Sequence, residues 1–377
     1  MKKTAITKIG PSKIIQLYFP VTNFHAIVVI DNTALGPSMG GVRVSPSVTV
    51  EEVKRLARTM TLKTSVSGLP HGGGKAGIIA DPQDPKKELY FRIFAQAIKD
   101  LHEYIPGPDM GSNEECMAWI HDEIGRVAGL PEEIGGLPLD KLGATGFGLA
   151  ECAEVACPYA NIELKGAKVA IQGFGSVGKA AAKFLSEKGA IVVAASDTKG
   201  VICNSDGLDI KELLGVKEEK GSVMHYKKGT VKNCEEIFST PCDILIPAAT
   251  PDAISKDNVN NIKARLILQG ANIPATMDAE EALHKKGILS VPDFIANAGG
   301  VIMAAMEYAK KSEKEAFDAI SERIKKNTKL ILEKTFKENI LGAPKSRRLF
   351  GAPLPRQAAE VIAKERILKA MTYKRVL

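Results

Sequence analysis

A glycine pattern midway along the chain restricts its fold more than any other feature. Gly173-Phe-Gly-Ser-Val-Gly178 follows a strand-like run, Lys168-Val-Ala-Ile-Gln172, and opens a helix-like stretch from Ser176 to Lys188. A second apolar run, Ala190-Ile-Val-Val-Ala-Ala195, then leads to Asp197, so strand, glycine turn, helix and strand describe a βαβ unit. Each glycine has its own task there. Gly173 permits the tight turn, Gly175 lets backbone approach a pyrophosphate at the helix N-terminus, and Gly178 lets helix and strand pack closely. Phe174, Ser176 and Val177 complete the fingerprint. Asp197, 24 residues after Gly173, stands where an acid accepts hydrogen bonds from an adenosine ribose. An acid there repels a ribose 2′-phosphate and favours NAD over NADP, although Thr198 and Lys199 beside it offer a phosphate some compensation.

Later apolar runs, Asp243-Ile-Leu-Ile246, Leu266-Ile-Leu268 and Ile288-Leu-Ser-Val291, are short and unalternating, as in strands buried on both faces. This half is therefore read as a doubly wound, Rossmann-type α/β sheet. Ligands of such sheets lie beyond the strand carboxyl ends, where Ala248-Ala249-Thr250, Gln269-Gly-Ala-Asn272 and Asn297-Ala-Gly-Gly300 are found. Asn272 and Asn297 are placed to orient a nicotinamide or its ribose, or else to serve as turn residues.

The first 140 residues alternate strand and helix patterns: a strand at His25–Ile30, helices from Val50 to about Thr64 and from about Lys86 to Tyr104, and a third starting at Ser112 in a capping box. The turn-rich stretch from Gly129 to Pro138 marks a domain boundary. The expected division is 1–140 plus about 342–377 as a substrate-binding and oligomerisation domain, with 141–341 as the dinucleotide domain. Lys63 falls on a helical stripe with Leu56 and Met60. Lys75 sits in Gly68-Leu-Pro-His-Gly-Gly-Gly-Lys-Ala-Gly-Ile78, where glycines let a ligand come close to backbone and a desolvated lysine acquires the lowered pKa of a general base. Asp109 lies in a stiff Pro/Gly loop, Ile105 to Gly111.

Composition excludes several classes. The chain has 377 residues, 45% hydrophobic and 25% charged, which suits two soluble domains. Its net charge of +7 is spread among acidic residues, and the basic tail is interleaved with apolar ones (Ala359, Ile362, Ile367, Ala370), so nucleic acid is not an expected partner. No run approaches the roughly 18 apolar residues of a membrane span, the start is not a signal peptide, and the six cysteines read as reduced thiols of a cytoplasmic protein. The six histidines have no metal-ligand spacing.

Read together, Gly36-Pro-Ser-Met-Gly-Gly-Val-Arg43, Lys63, Lys75, the Asp109 loop, Gly143-Ala-Thr-Gly-Phe-Gly-Leu149, the glycine fingerprint, Gln269–Asn272 and Pro292–Gly300 resemble the glutamate/leucine/phenylalanine/valine dehydrogenase family. The resemblance runs from Gly36 to about Glu307. It implies two α/β domains with a catalytic cleft between them, and reversible NAD(P)-linked oxidative deamination of an L-amino acid to a 2-oxo acid and ammonia by a homo-oligomer, hexameric or octameric. It implies that Lys63 binds the substrate α-carboxylate, that Lys75 is the catalytic lysine, and that Asp109 handles protons at the amino nitrogen. Thr145, Ala249, Asn272 and Asn297 match cofactor-side positions; Met39, Gly40, Gly41, Val301 and Ala304 match the substrate pocket. In the glutamate branch Met39 is a lysine and Ala304 a serine. A buried side-chain carboxylate without them is poorly compensated, so an apolar, leucine- or valine-like substrate is the expectation, with glutamate the alternative and Arg43 a possible substitute cation. A non-catalytic dinucleotide sensor is the remaining alternative.

Overall fold

The computed structural model describes residues 9–337 and 353–374, which group into two compact units. The first takes residues 9–139, 301–319 and 360–374; the second takes 140–300 and the described part of 320–359. Residues 301–319 thus group with the first unit and 353–359 with the second, the reverse of the expected assignment, and 342–352 lie outside the described residues. Apolar periodicity shows that a helix buries a face without showing which unit receives it.

The strands of the first unit are β1 (Lys13–Phe19), β2 (Phe24–Asn32), β3 (Ser38–Val44), β4 (Gly72–Ile78) and β5 (Tyr104–Pro108), ordered β1-β2-β4-β3-β5 in one sheet. β2 is antiparallel to β1 and β4, while β3 runs parallel to β4 and β5. The glycine-rich segment is therefore the middle strand. A Cβ on Gly73 would lie 2.0 Å from the Thr61 amide nitrogen, and one on Gly77 would lie 2.8 Å from Val48. On the other face, Gly72 leaves room for the Asn32 carbonyl and Gly74 for Ser38 and the Tyr104 ring. Protein atoms fill the space that the sequence reading gave to a ligand.

Close approach to glycine selects small residues on the partner. The helix Val50–Val66 buries Val53, Ala57, Thr61 and Thr64, whereas the expected inner stripe of Leu56, Met60 and Lys63 is only half-buried. The opposite face of the sheet carries the main core, in which Val28, Ile30, Ala76 and Ile78 meet Phe91, Phe94, Met117 and Ile120 from the helices Lys87–Ala97 and Glu114–Ile124. The first of these helices ends well before Tyr104, which opens β5. The second is capped by Asn113, whose side chain accepts from the Cys116 amide; Ser112 serves elsewhere. The terminal helix, Pro355–Tyr373, sends Ile367 and Met371 into a cluster with Ile9 and Ala34.

The second unit holds β6 (Lys168–Gln172), β7 (Ile191–Asp197), β8 (Gly200–Cys203), β9 (Thr230–Lys232), β10 (Ile244–Pro247), β11 (Leu266–Leu268) and β12 (Leu289–Val291), ordered β12-β11-β10-β6-β7-β8-β9. The first five in that order are parallel. After β7 the two residues Thr198 and Lys199 reverse the chain, so β8 and β9 extend the sheet antiparallel. Among the described residues no helix is long and apolar enough to cross a membrane.

Gly73→Ala should lower stability by about 1–3 kcal/mol or more through overpacking on Thr61. Gly215→Ala, in the interior of the helix Ile210–Lys220 with nothing within 4 Å of the added methyl, should raise it by roughly 0.5–1 kcal/mol. Urea denaturation of the two variants reads both signs.

Candidate active site

Side chains alternate along β4, so Lys75 shares the helix-side face with Gly73 and Gly77. The registered partners on the parallel neighbour, Met39 opposite Gly73 and Arg43 opposite Gly77, fall on the same face. Lys75 is 6% exposed. Its Nζ lies 3.1 Å from Asp109 Oδ2, and Arg43 Nε donates to that same oxygen at 3.0 Å. The other end of the Arg43 guanidinium donates to Glu52 at 2.5 Å. Four charges of alternating sign, Glu52, Arg43, Asp109 and Lys75, thus form one chain.

Position and charge state follow from these contacts. The Asp109 amide donates to Ser112 Oγ at 2.9 Å and Ser112 donates to the Val42 carbonyl, which ties the Asp109 turn to β3. Gly41 lets Asp109 sit there, because a Cβ on Gly41 would lie 2.6 Å from the Asp109 Cβ. Gly40 meets the Gly74 carbonyl, and Tyr104 donates to the Gly40 carbonyl at 2.8 Å. Burial drives the Lys75 ammonium toward its neutral form more strongly than Asp109 holds it charged, so its pKa falls below the ordinary lysine value. Burial also opposes ionisation of Asp109, but Lys75 and Arg43 outweigh it and hold the carboxyl below the usual range.

Lys75 and Asp109, from different segments of the chain, are brought into contact. Met39 is buried on the same face, and Val301 and Ala304, on the helix Gly299–Tyr308, are half-buried. Lys63, half-buried, stands two residues beyond Thr61 on the helix packed against the Lys75 strand. Arg43 is engaged by two carboxylates and so is a poor substitute cation for a substrate. Glu52 and Ser112 escaped the sequence reading, since an acid in a helix's first turn and a serine before a helix are commonplace.

In the second unit the three glycines show three different surroundings. Gly173 has φ +91° and packs on Ala249; a Cβ on Gly178 would lie 1.9 Å from the Gly173 carbonyl oxygen; around Gly175 there is nothing within 4 Å. No side chain caps the helix Ser176–Glu187, which starts at that open position. These residues fit a pyrophosphate: open space, uncapped amides and the positive end of a helix dipole coincide. Phe174 is buried, Ser176 is exposed and Val177 is half-buried. Thr145 lies under Gly299, whose Cβ would sit 3.2 Å from the Thr145 Cα. Asn297 Nδ2 donates to the carbonyls of Gly270 and Ala271 and to Asn272 Oδ1, at 3.2, 3.1 and 3.1 Å.

Asp197 departs from expectation. Its carboxylate accepts from Lys217 Nζ at 2.8 Å, the Val223 amide at 2.9 Å, the Lys199 amide at 2.9 Å and Ser222 Oγ at 3.2 Å. A carboxylate has about four acceptor positions, so the protein itself fills the capacity assigned to a ribose, and Lys217 balances the charge assigned to repelling a phosphate. Thr198 is exposed beside it. The reversal after β7 supplies the Lys199 amide, and the helix Ile210–Lys220 with the residues after it supplies the other three donors.

An uncapped helix N-terminus behind a glycine turn, at the carboxyl edge of parallel strands, has the geometry of a dinucleotide-binding protein. The chain belongs to the Glutamate/Leucine/Phenylalanine/Valine dehydrogenase family: that family's model matches residues 135–375, and the Glu/Leu/Phe/Val dehydrogenase dimerisation domain matches residues 11–126. It is an NAD(P)-dependent amino acid dehydrogenase. It is 40% identical over 361 residues to a glutamate dehydrogenase of Aeropyrum pernix, covering 90% of this chain and 84% of that protein. It is 38% identical over 362 residues to an NADP-specific glutamate dehydrogenase of Saccharolobus shibatae, covering 92% and 84%. Among solved structures it resembles the hetero-hexameric glutamate dehydrogenase of Thermus thermophilus in its leucine-bound form, with TM-score 0.85, 28% identity, and coverage of 98% and 92%.

Asp197→Ala leaves Lys217 and two backbone donors without their acceptor, at a cost of about 1–3 kcal/mol at pH 7. The native carboxyl is held below the usual range, because Lys217 and the three other donors outweigh its burial. The stability it contributes is therefore present above the ordinary carboxylate value and lost as pH falls below it, so wild type and variant should converge in acid denaturation series. Unchanged stability with lost cofactor affinity would return the carboxylate to the ribose.

Proposed function

We propose that this chain carries out the reversible oxidative deamination of L-glutamate to 2-oxoglutarate and ammonia. The observation that supports the reaction is the Lys75–Asp109 pair: a buried lysine with lowered pKa in contact with an ionised carboxylate. The similarity to glutamate dehydrogenases supports the substrate. When bound, the nicotinamide supplies the hydride acceptor. Lys75, neutral in a larger fraction than an exposed lysine, takes a proton from the water that adds to the substrate iminium carbon, and Asp109 exchanges a proton with the departing or entering nitrogen. Lys63 binds the α-carboxylate. Asn272 and Asn297 serve the cofactor side. With Lys217 balancing Asp197, both NAD and NADP are accepted.

Met39 and Ala304 favour a second reading, an apolar amino acid. Met39 is 3% exposed on the face that carries Lys75, and Arg43 is already paired, so a side-chain carboxylate lacks an evident cation among the described residues of that face. Self-association is part of the proposal: β1 is an edge strand whose Ile14, Tyr18 and Phe19 are exposed, within the stretch matched by a dimerisation domain. The six unpaired cysteines suit a cytoplasmic setting.

Turnover with a panel of L-amino acids, using NAD and NADP separately, tests the assignment. Glutamate should exceed leucine and valine in kcat/KM by tenfold or more; the opposite order establishes the second reading, and Met39→Lys with Ala304→Ser should then shift the preference toward glutamate. Lys75→Met should lower kcat by 10²-fold or more while the protein remains folded. For the wild type, kcat/KM of deamination should rise with pH through a midpoint below the ordinary lysine value, since the neutral amine is the active form; a profile flat up to that value removes Lys75 as base.

A further inference from the structure

The terminal helix begins beside the two turns that carry Asn272 and Asn297. Arg356, in its first turn, is 11% exposed and makes a fan of contacts. Its guanidinium donates to Asp293 Oδ1 at 2.8 Å, to Gln269 Oε1 at 2.9 Å and to the Glu280 carboxylate at 2.8–2.9 Å. Gln269 directly follows β11, Asp293 follows Pro292 after β12 and opens the short helix Asp293–Ala296, and both are buried. Gln269 passes the connection on, donating to Glu280 at 2.7 Å and Ser290 at 3.1 Å and accepting from the Asp293 amide at 3.2 Å.

The second oxygen of Asp293 accepts from the Ile273 amide at 2.9 Å. Ile273 has φ +49°, a left-handed conformation that a β-branched residue adopts only under constraint, at a cost of about 1–3 kcal/mol. That strained residue directly follows Asn272 and sets where the turn presents it. Asn297 fixes the same turn from its other side through Gly270, Ala271 and Asn272, and its own amide donates to the Asp293 carbonyl at 2.8 Å. The side-chain support of this turn thus runs through Asp293 and Gln269, both held by Arg356, and adds to the Gly270 and Ala271 amides that donate to the Pro247 carbonyl at 3.0 and 2.9 Å.

We infer that Arg356 is a positioning residue for the cofactor: it locks the turns after β11 and β12 together so that Asn272 and Asn297 face a bound dinucleotide in one arrangement. The inference rests on the reading of the second unit as the cofactor unit. A planar fork reaching three acceptors cannot be replaced by a lysine, which keeps the charge but loses the fan.

Calorimetric titration of NAD(P)H into the full-length protein, with melting temperatures recorded alongside, tests it. Arg356→Lys and Asp293→Asn should each weaken NAD(P)H binding tenfold or more, and raise the cofactor KM more than the amino-acid KM. Arg265→Lys removes a fork to Asp243 and the Asn161 carbonyl that leads to neither asparagine, and should leave binding within about twofold whatever its effect on melting. Wild-type affinity in folded Arg356→Lys or Asp293→Asn, or a loss in Arg265→Lys as large as theirs, overturns the inference. If Arg356→Lys does not fold, Asp293→Asn decides alone. If wild type binds NAD(P)H with this mutant pattern but deaminates no amino acid, the proposed reaction fails and the positioning role stands; if wild type binds neither cofactor, the positioning role falls.

Discussion

A lysine sealed inside a β-sheet has to be met by an anion, and the first unit is arranged around the one that meets Lys75. The Asp109 carboxylate reaches it only because Gly41 leaves space for the Asp109 side chain and Ser112 ties the turn to β3. Asp109 in turn carries two cations on one oxygen, so Arg43 needs a second carboxylate, which Glu52 provides from the first turn of the helix Val50–Val66. That helix lies close enough because Gly73 and Gly77 present no side chains to it. Strand, helix and turn are thus tied together by the requirement that buried charges have partners.

The same logic explains what was legible beforehand. The glycine fingerprint was readable because each of its tasks is local: a positive φ, an open backbone, a helix against a turn. The glycines around Lys75 are equally plain in the sequence, yet glycine content alone does not say whether a ligand or the protein makes the close approach. Leu56 and Met60 have the larger apolar side chains, whereas a glycine surface calls for Ala57 and Thr61, which are the buried ones. Asp197 stands at the expected distance from the fingerprint, but its partners come from the hairpin after β7, the helix Ile210–Lys220 and the turn that follows it. Arg356 was not readable at all. Its acceptors lie 63 to 87 residues away in sequence, and an arginine at the start of a basic helix looks like surface charge.

The two units solve related problems with opposite charge balances. In the first, two cations and two carboxylates alternate, and one cation, Lys75, is left with a lowered pKa. In the second, a single guanidinium answers two carboxylates and an amide, and nothing in the cluster is left to react; its product is geometry. The strained Ile273 backbone and the asparagines beside it are where that geometry is expressed.

The first unit is assembled from three separate stretches of chain, and the last contains Ile367 and Met371, which pack on Ile9 and Ala34, and Ala363, whose carbonyl accepts from Ser65. During synthesis the sheet that carries Lys75 therefore emerges first and waits for more than two hundred residues before its final helix arrives. The unit made first is the last to be complete, so a nascent or truncated chain holds Lys75 in a fold that is still missing a wall.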